Sequence, residues 1–140
     1  MSVFKIVAVI PLFLFVILLY VIMAFLLAPG ALSLGAEPLF TMKLPSEALW
    51  KPSWSGIFIM FGVVMLYFEV IKSTKTNTLA SIEHVLSIGV FILALMLFIL
   101  YKPAGTSTFL IITLMSLLDV IAGLSISIAA ARRDFNMGSN

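Results

Sequence analysis

The chain has 140 residues, of which 63% are hydrophobic and 10% are charged, and its mean hydropathy is +1.26. This composition excludes a water-soluble globular protein and indicates one membrane domain over residues 1–140. The net charge of +2 comes from eight basic and six acidic residues spread thinly between apolar runs, so we expect no nucleic-acid partner, and the absence of cysteine excludes disulfides and thiolate chemistry.

The first apolar run extends from residue 4 to residue 28 and contains one charged residue, Lys5. It is long enough to cross a hydrocarbon core of about 30 Å, and it is longer than the apolar part of a signal peptide, which is about 7 to 15 residues. We therefore expect an uncleaved first helix that ends at the helix breakers Pro29 and Gly30. Pro11 lies inside the run and should kink its first third.

Three further apolar runs predict three more spans, at residues 55–72, 79–101 and 108–131. The connections at 73–77 and 102–107 are long enough only for tight turns, so the last three helices should be antiparallel neighbours. The predicted fold is an all-α membrane protein with four transmembrane helices. Its outer loop is the segment 29–54, and residues 136–140 should form a short frayed tail.

The distribution of basic residues predicts the orientation of the spans. With four crossings, both termini and the second connection lie on one side of the membrane. That side carries five basic residues, which are Lys5, Lys72, Lys75, Arg132 and Arg133. The opposite side carries three, which are Lys43, Lys51 and Lys102. Because basic residues are retained on the cytoplasmic side, both termini are predicted to be cytoplasmic, with Arg132 and Arg133 as anchors at that interface.

The outer loop contains the pattern of a short hairpin. Apolar and polar residues alternate over residues 40–44, as in a half-buried strand, and a second extended piece at 48–54 follows the turn residues 45–47. We therefore expect an extracytoplasmic β-hairpin. Trp50 and Trp54 precede the second span, where indole rings commonly anchor a protein at the lipid headgroups; the alternative is a surface that docks a partner.

Asp119 is a carboxylate inside the fourth apolar run. It lies 12 residues before Ala131, about 18 Å from that end and close to the middle of the membrane. An ionised carboxylate facing lipid at that depth costs at least about 2.5 kcal/mol, so Asp119 should face protein, with Ser87 or Tyr67 as possible hydrogen-bond partners. The helix face that carries Asp119 is a packing stripe of small residues, namely Ser116, Gly123, Ser127 and Ala130.

A second polar set lies near the predicted cytoplasmic end. Glu69 precedes Lys72 by one helical turn, so the two can pair while the Lys72 amine extends toward the headgroups. Glu83 and His84 open the third span, where the helix dipole favours a carboxylate. Glu69 and His84 could form an inward cluster together with Arg132.

Three interpretations of this cluster are open. It can be an ionic clasp that fixes helix register, which we favour because buried ions in bundles most often serve packing. It can be the mouth of a proton or cation path that includes Asp119, or it can contact a lipid headgroup or another subunit. A metal site is disfavoured, since the contiguous residues Glu83 and His84 point about 100° apart on a helix.

Sequence motifs of enzymes are absent: there is no G-x-S-x-G, H-E-x-x-H, phosphate-binding loop or dinucleotide fingerprint. We therefore expect a non-enzymatic protein without a cofactor. The segments "LPSEALW", "EHVLSIGVFI", "DVIAG" and "SISIAAARRD" resemble a group of short four-span bacterial inner-membrane proteins to which no activity is assigned. The resemblance covers residues 39–134 and implies a bacterial inner membrane.

The predicted function is that of an accessory or assembly subunit of a membrane complex, or of a homo-oligomer. Its expected partners are the lipid bilayer and either other membrane subunits or further copies of the chain, which the small-residue stripe would suit. The alternative is a component of a small proton- or ion-coupled transporter or channel that uses the mid-membrane carboxylate of Asp119.

Overall fold

The computed structural model describes residues 3–75 and 79–138, and within them the chain is mostly helical with one small sheet. The helices are, in chain order, α1 (Val3–Val9), α2 (Leu12–Leu26), α3 (Trp54–Ser73), α4 (Ala80–Leu100) and α5 (Ser107–Gly138). A 3-10 turn at Lys102–Ala104 joins α4 to α5. The sheet consists of β1 (Met42–Lys43) and β2 (Leu49–Trp50).

Three helices, α3, α4 and α5, are long and apolar enough to cross a membrane. The bent pair of α1 and α2 would make a fourth crossing if the two form one span. The predicted spans 55–72 and 79–101 agree with α3 and α4 to within one residue at each end. The all-α prediction is thus confirmed, and the described chain has three to four helices that could cross a membrane.

The first apolar run is not the single helix predicted for residues 4–28. It is interrupted between Val9 and Leu12, and the two parts meet at an angle of 77°. Pro11 is the physical reason, because it has no N–H to donate and its ring clashes with the carbonyl four residues earlier. Pro11 adopts an extended backbone (φ −62°, ψ 133°) at the position before α2. The expected kink is therefore a complete break.

The fourth predicted span, 108–131, is part of a longer helix. α5 has 32 residues, about 48 Å, and so exceeds a hydrocarbon core of about 30 Å. Its last turns are exposed and include Arg132 and Arg133. The frayed tail predicted from residue 136 is wrong as far as Gly138, where the helix ends, and residues 139–140 lie outside the described part of the chain.

α5 is the central helix of the bundle. α3 and α4 each pack mainly against α5 rather than against each other, although they are consecutive in the chain. This corrects the expectation that the second and third spans would be direct neighbours. α2 completes the bundle by packing against α3 and, near the 3-10 turn, against α4.

The apolar core centres on Tyr20 of α2. Its ring lies 5.5 Å from that of Phe58 on α3 and 4.9 Å from that of Phe109 on α5, measured between centroids. Its hydroxyl is hydrogen-bonded to the Thr106 hydroxyl at 2.5 Å. A buried tyrosine requires such a partner, so this bond fixes α2 against the start of α5.

The predicted hairpin is present in the outer loop, with shorter strands than expected. Met42 pairs with Trp50 and Lys43 with Leu49 in antiparallel register. The turn places Glu47 in the left-handed region (φ 66°), which L-residues rarely adopt. The Trp50 ring packs edge-to-face on Phe40 at 5.8 Å and is exposed on the hairpin. Trp54, by contrast, is the first residue of α3 and packs partly buried against the core.

Candidate functional site

Four of the ionisable residues singled out in the sequence, Glu69, Lys72, His84 and Asp119, lie near the end of α3 and the start of α4. We call this group the polar cluster. It consists of Glu69, Lys72 and Ser73 from α3, His84 and Ser87 from α4, and Asp119, Gly123 and Ser127 from α5. Each of the three helices thus contributes polar groups to one region of the interior.

Asp119 faces the interior of the bundle, as its helix face predicts. Its exposed fraction is 4%, and Ser116, one turn earlier on the same face, is also buried. The Asp119 carboxylate accepts a hydrogen bond from the Ser87 side chain of α4, one of the two partners that the sequence suggested. Gly123 is buried too, whereas Ser127 and Ala130 are partly exposed, so the stripe leaves the core toward the end of α5.

Glu69 is buried deeply, with 3% of its surface exposed, and its carboxylate has two partners. It accepts the backbone N–H of Leu12 at 2.5 Å, and it forms an ion pair with Lys72 at 3.7 Å. The predicted Glu69–Lys72 pairing is confirmed. The Lys72 amine also donates to the carbonyl of Ile10 at 3.0 Å.

Glu69 and Lys72 form hydrogen bonds with the backbone on both sides of the break in the first apolar run. The start of α2 has free N–H groups and a partial positive charge, and there the carboxylate binds. The last turn of α1 has free carbonyls and a partial negative charge, and the ammonium binds at Ile10 immediately beyond it. Each charge of the pair therefore lies at the helix end of opposite sign.

Helices α3, α4 and α5 come close together at Gly123. A Cβ atom at this position would lie 2.8 Å from Cε1 and 2.9 Å from Nδ1 of His84, and 3.6 Å from the Ser73 hydroxyl. Nε2 of His84 is hydrogen-bonded to the hydroxyl of Ser127, one turn further along α5. Only glycine leaves room for the imidazole here, so the His84 ring packs on Gly123 and is hydrogen-bonded to Ser127 of α5.

The cluster of Glu69, His84 and Arg132 expected from the sequence is not formed as predicted. His84 is joined to Ser127 rather than to Glu69, and Arg132 is exposed on the extension of α5. Glu83 is half-buried in the first turn of α4, within electrostatic range of Lys72 and Lys75. The physical reason is the central position of α5, which places the Ser127 hydroxyl within hydrogen-bond distance of His84.

The backbone groups of Ile10 and Leu12 were missed by reasoning from the sequence. Pro11 marks the interruption, and an interrupted helix needs hydrogen-bond partners from elsewhere in a membrane. That requirement points to Glu69 and Lys72, the charged pair predicted at the same end of the bundle.

The arrangement can fix helix positions by hydrogen bonds and ion pairing. Across residues 3–75 and 79–138, no buried side-chain nitrogen or oxygen lacks a hydrogen-bond partner. In the same part of the chain, no three His, Asp or Glu side chains converge in a way that could hold a metal ion. Comparison with protein-family models, with curated proteins and with solved structures finds no match for this chain.

Proposed function

We propose that the protein is a non-enzymatic accessory or assembly subunit of a bacterial inner-membrane complex, or a homo-oligomer, with four crossings and both termini in the cytoplasm. The observation that carries this proposal is the outward face of α4. Of the described residues 80–100, two are buried, Val90 and Ala94. The exposed side of α4, away from α5, is available to another spanning helix.

The residues of α4 opposite the buried pair form a heptad-spaced apolar stripe. We call it the α4 stripe; it consists of Val85, Gly89, Ile92, Met96 and Ile99, all exposed. Spacings of four and three residues are those of helices that pack side by side along their length. A Cβ atom at Gly89 would meet nothing within 4 Å in this chain, so a neighbouring backbone could approach closely there.

The polar cluster supports the same proposal because its groups are engaged in holding the bundle together. Glu69 and Lys72 tie α3 to the first two helices, His84 ties α4 to α5, and Asp119 binds Ser87 across the same interface. Fixed helix positions would give the α4 stripe a constant shape, as a subunit interface requires.

The test is the mass of the particle extracted with its native lipid by a membrane-solubilising copolymer. A single chain has a mass of 15.3 kDa. The proposal predicts a discrete protein assembly heavier than one chain, whose composition is identified by mass spectrometry as further copies or a second protein. A monodisperse particle with one chain and lipid alone would reject it.

A second candidate function is a proton- or ion-coupled transporter or channel component. It is favoured by the presence of two carboxylates, Glu69 and Asp119, both almost fully buried and close enough to interact electrostatically. Buried carboxylates of this kind line proton paths in other membrane proteins. In reconstituted vesicles, Asp119→Asn should then abolish pH-driven flux while the protein stays folded, and unchanged flux would reject this candidate.

A further inference from the structure

Helix α1 stands apart from the bundle to which it is joined. None of its described residues, Val3–Val9, is buried, and the side chains of Val3 and Phe4 are 74% and 87% exposed. Six of its seven residues are apolar, and Lys5 is the exception. A helix that is apolar on all sides is unstable in water, so α1 needs an apolar environment that the bundle itself does not provide.

The position of the break gives the depth at which α1 leaves the bundle. The residues at the break, Ile10 and Leu12, contact Lys72 and Glu69 of α3. Glu69 lies four residues and Lys72 one residue before the end of α3 at Ser73. At 1.5 Å per residue, these positions are about 6 Å and about 2 Å from that end. Interfacial helices lie about 5 to 10 Å into the boundary between headgroups and acyl chains. With the end of α3 at that boundary, the Glu69 contact lies within this range and the Lys72 contact lies just above it.

The length of α2 agrees with this placement. α2 has 15 residues, about 22 Å, which is too short for the hydrocarbon core when measured from the end of α3. Starting about 6 Å inside that end, it reaches about 28 Å, close to the 30 Å length of the 20-residue helix α3. α2 can therefore complete the crossing without any contribution from α1.

We infer that α1 is an interfacial helix that lies flat on the membrane and binds the lipid surface on the side where α3 ends. The bend of 77° makes it nearly parallel to the membrane plane when α2 is close to the membrane normal. Its apolar side chains enter the acyl region, and the Lys5 amine extends to the anionic headgroups. The Glu69–Lys72 pair sets its direction by binding the backbone on both sides of Pro11.

This arrangement also explains why an ion pair is buried at this place. A proline inside a straight span would leave carbonyl groups without donors in hydrocarbon, where no water can replace them. When the chain turns at Pro11, the Lys72 ammonium donates to the Ile10 carbonyl and the Glu69 carboxylate accepts the Leu12 N–H. The ion pair at 3.7 Å keeps both charges neutralised. The inference does not depend on the proposed subunit function, because it concerns contacts with lipid only.

The experiment is a depth scan of α1 in vesicles of phosphatidylethanolamine and phosphatidylglycerol. Since the chain contains no cysteine, a spin label can be attached to single cysteines placed one at a time at residues 3–9. Power-saturation electron paramagnetic resonance then measures the depth of each label. None of the substituted residues is buried, so the folded bundle is preserved.

A flat helix bent by 77° should change its mean depth by about 2 Å from Val3 to Val9, with an oscillation of about 3.6 residues as labels face lipid or headgroups. A helix continuing α2 in a straight line would instead change by about 9 Å over the same residues. The same scan at the exposed positions 85, 86, 88, 89 and 92 of α4 is the control and should show a steady change of about 10 Å. A steady change of about 9 Å along α1, or labels in water at every position, would overturn the inference.

A second set of variants tests the role of the Glu69–Lys72 pair. Lys72→Met removes the donor to Ile10, and combined with Pro11→Ala it should shift the depth profile of α1 toward that of a continuous helix. Lys75→Met combined with Pro11→Ala is the matched control, since Lys75 is an exposed lysine at the same end of the bundle, and it should shift the profile less because Lys72 still binds Ile10. Equal profiles in the two double variants would show that the pair does not set the direction of α1.

Discussion

Replacing Gly123 by alanine tests whether the helices meet as closely as the polar cluster requires. The new Cβ atom would lie 2.8 Å from Cε1 and 2.9 Å from Nδ1 of His84, which is shorter than real Cβ contacts. The imidazole cannot move away freely, because Nε2 is hydrogen-bonded to Ser127. Overpacking of this kind typically costs about 1 to 3 kcal/mol, and interhelical hydrogen bonds in membranes average about 0.6 kcal/mol.

Two other glycines provide controls within the same protein. Gly89→Ala on α4 introduces a Cβ atom that meets nothing within 4 Å in the same chain. In micelles that hold single chains the α4 stripe has no partner, so this variant reports the change in helix propensity alone. Gly62→Ala on α3 brings a Cβ atom to 2.9 Å from the sulfur of Met115, but that flexible side chain can shift. The loss of stability should therefore be smallest for Gly89→Ala, larger for Gly62→Ala and largest for Gly123→Ala.

The assay is the free energy of unfolding in mixed micelles, obtained by titration with sodium dodecyl sulfate and followed by circular dichroism. Gly123→Ala should be less stable than Gly89→Ala by about 1 to 3 kcal/mol. In a double-mutant cycle, His84→Ala should relieve part of that loss, because it removes the group that the new methyl meets. Equal stabilities of the Gly123→Ala and Gly89→Ala proteins would refute the close approach of α4 and α5 at this point.

Two further predictions concern the buried carboxylates and use the same unfolding assay. Asp119→Leu should destabilise the protein by about 1 to 3 kcal/mol because the Ser87 hydroxyl loses its partner, whereas Asp119→Asn keeps an acceptor and should cost less; equal losses would contradict the hydrogen bond. Glu69→Leu leaves the Leu12 N–H without its acceptor and the Lys72 ammonium without its counter-charge, and it should cost about 3 to 5 kcal/mol, more than Glu69→Gln. A smaller loss for Glu69→Leu would contradict the contact at the helix break.

The helices and strands whose ends are marked by polar or turn-forming residues were predictable from the sequence. Helices α3 and α4 match continuous apolar runs that end at polar turns, and hydropathy alone determines such limits. The hairpin follows from alternation over residues 40–44 and the turn after it. The inward position of Asp119 follows from the cost of exposing a carboxylate to lipid.

The features that were not predicted depend on tertiary contacts. Pro11 predicts an interruption, but the angle of the break is set together with Glu69, which is 57 residues away from Leu12 in the chain. The end of α5 was misplaced because hydropathy marks where a helix leaves the membrane, whereas alanine and arginine continue a helix well into water. The hydrogen-bond partner of His84 could not be predicted, since nothing in the sequence of α4 indicates that α5 lies beside it.

The most direct test of the proposed subunit function is site-specific photo-crosslinking from the α4 stripe in native membranes. A benzophenone amino acid at Ile92 lies on the stripe, and one at Leu114 lies on an exposed position of α5 about equally far from the connection between the two helices. The proposal predicts a discrete protein adduct from Ile92, to a second copy or to another subunit, and adducts to lipid alone from Leu114. Lipid adducts alone from Ile92, or the same protein adducts from both positions, would contradict it.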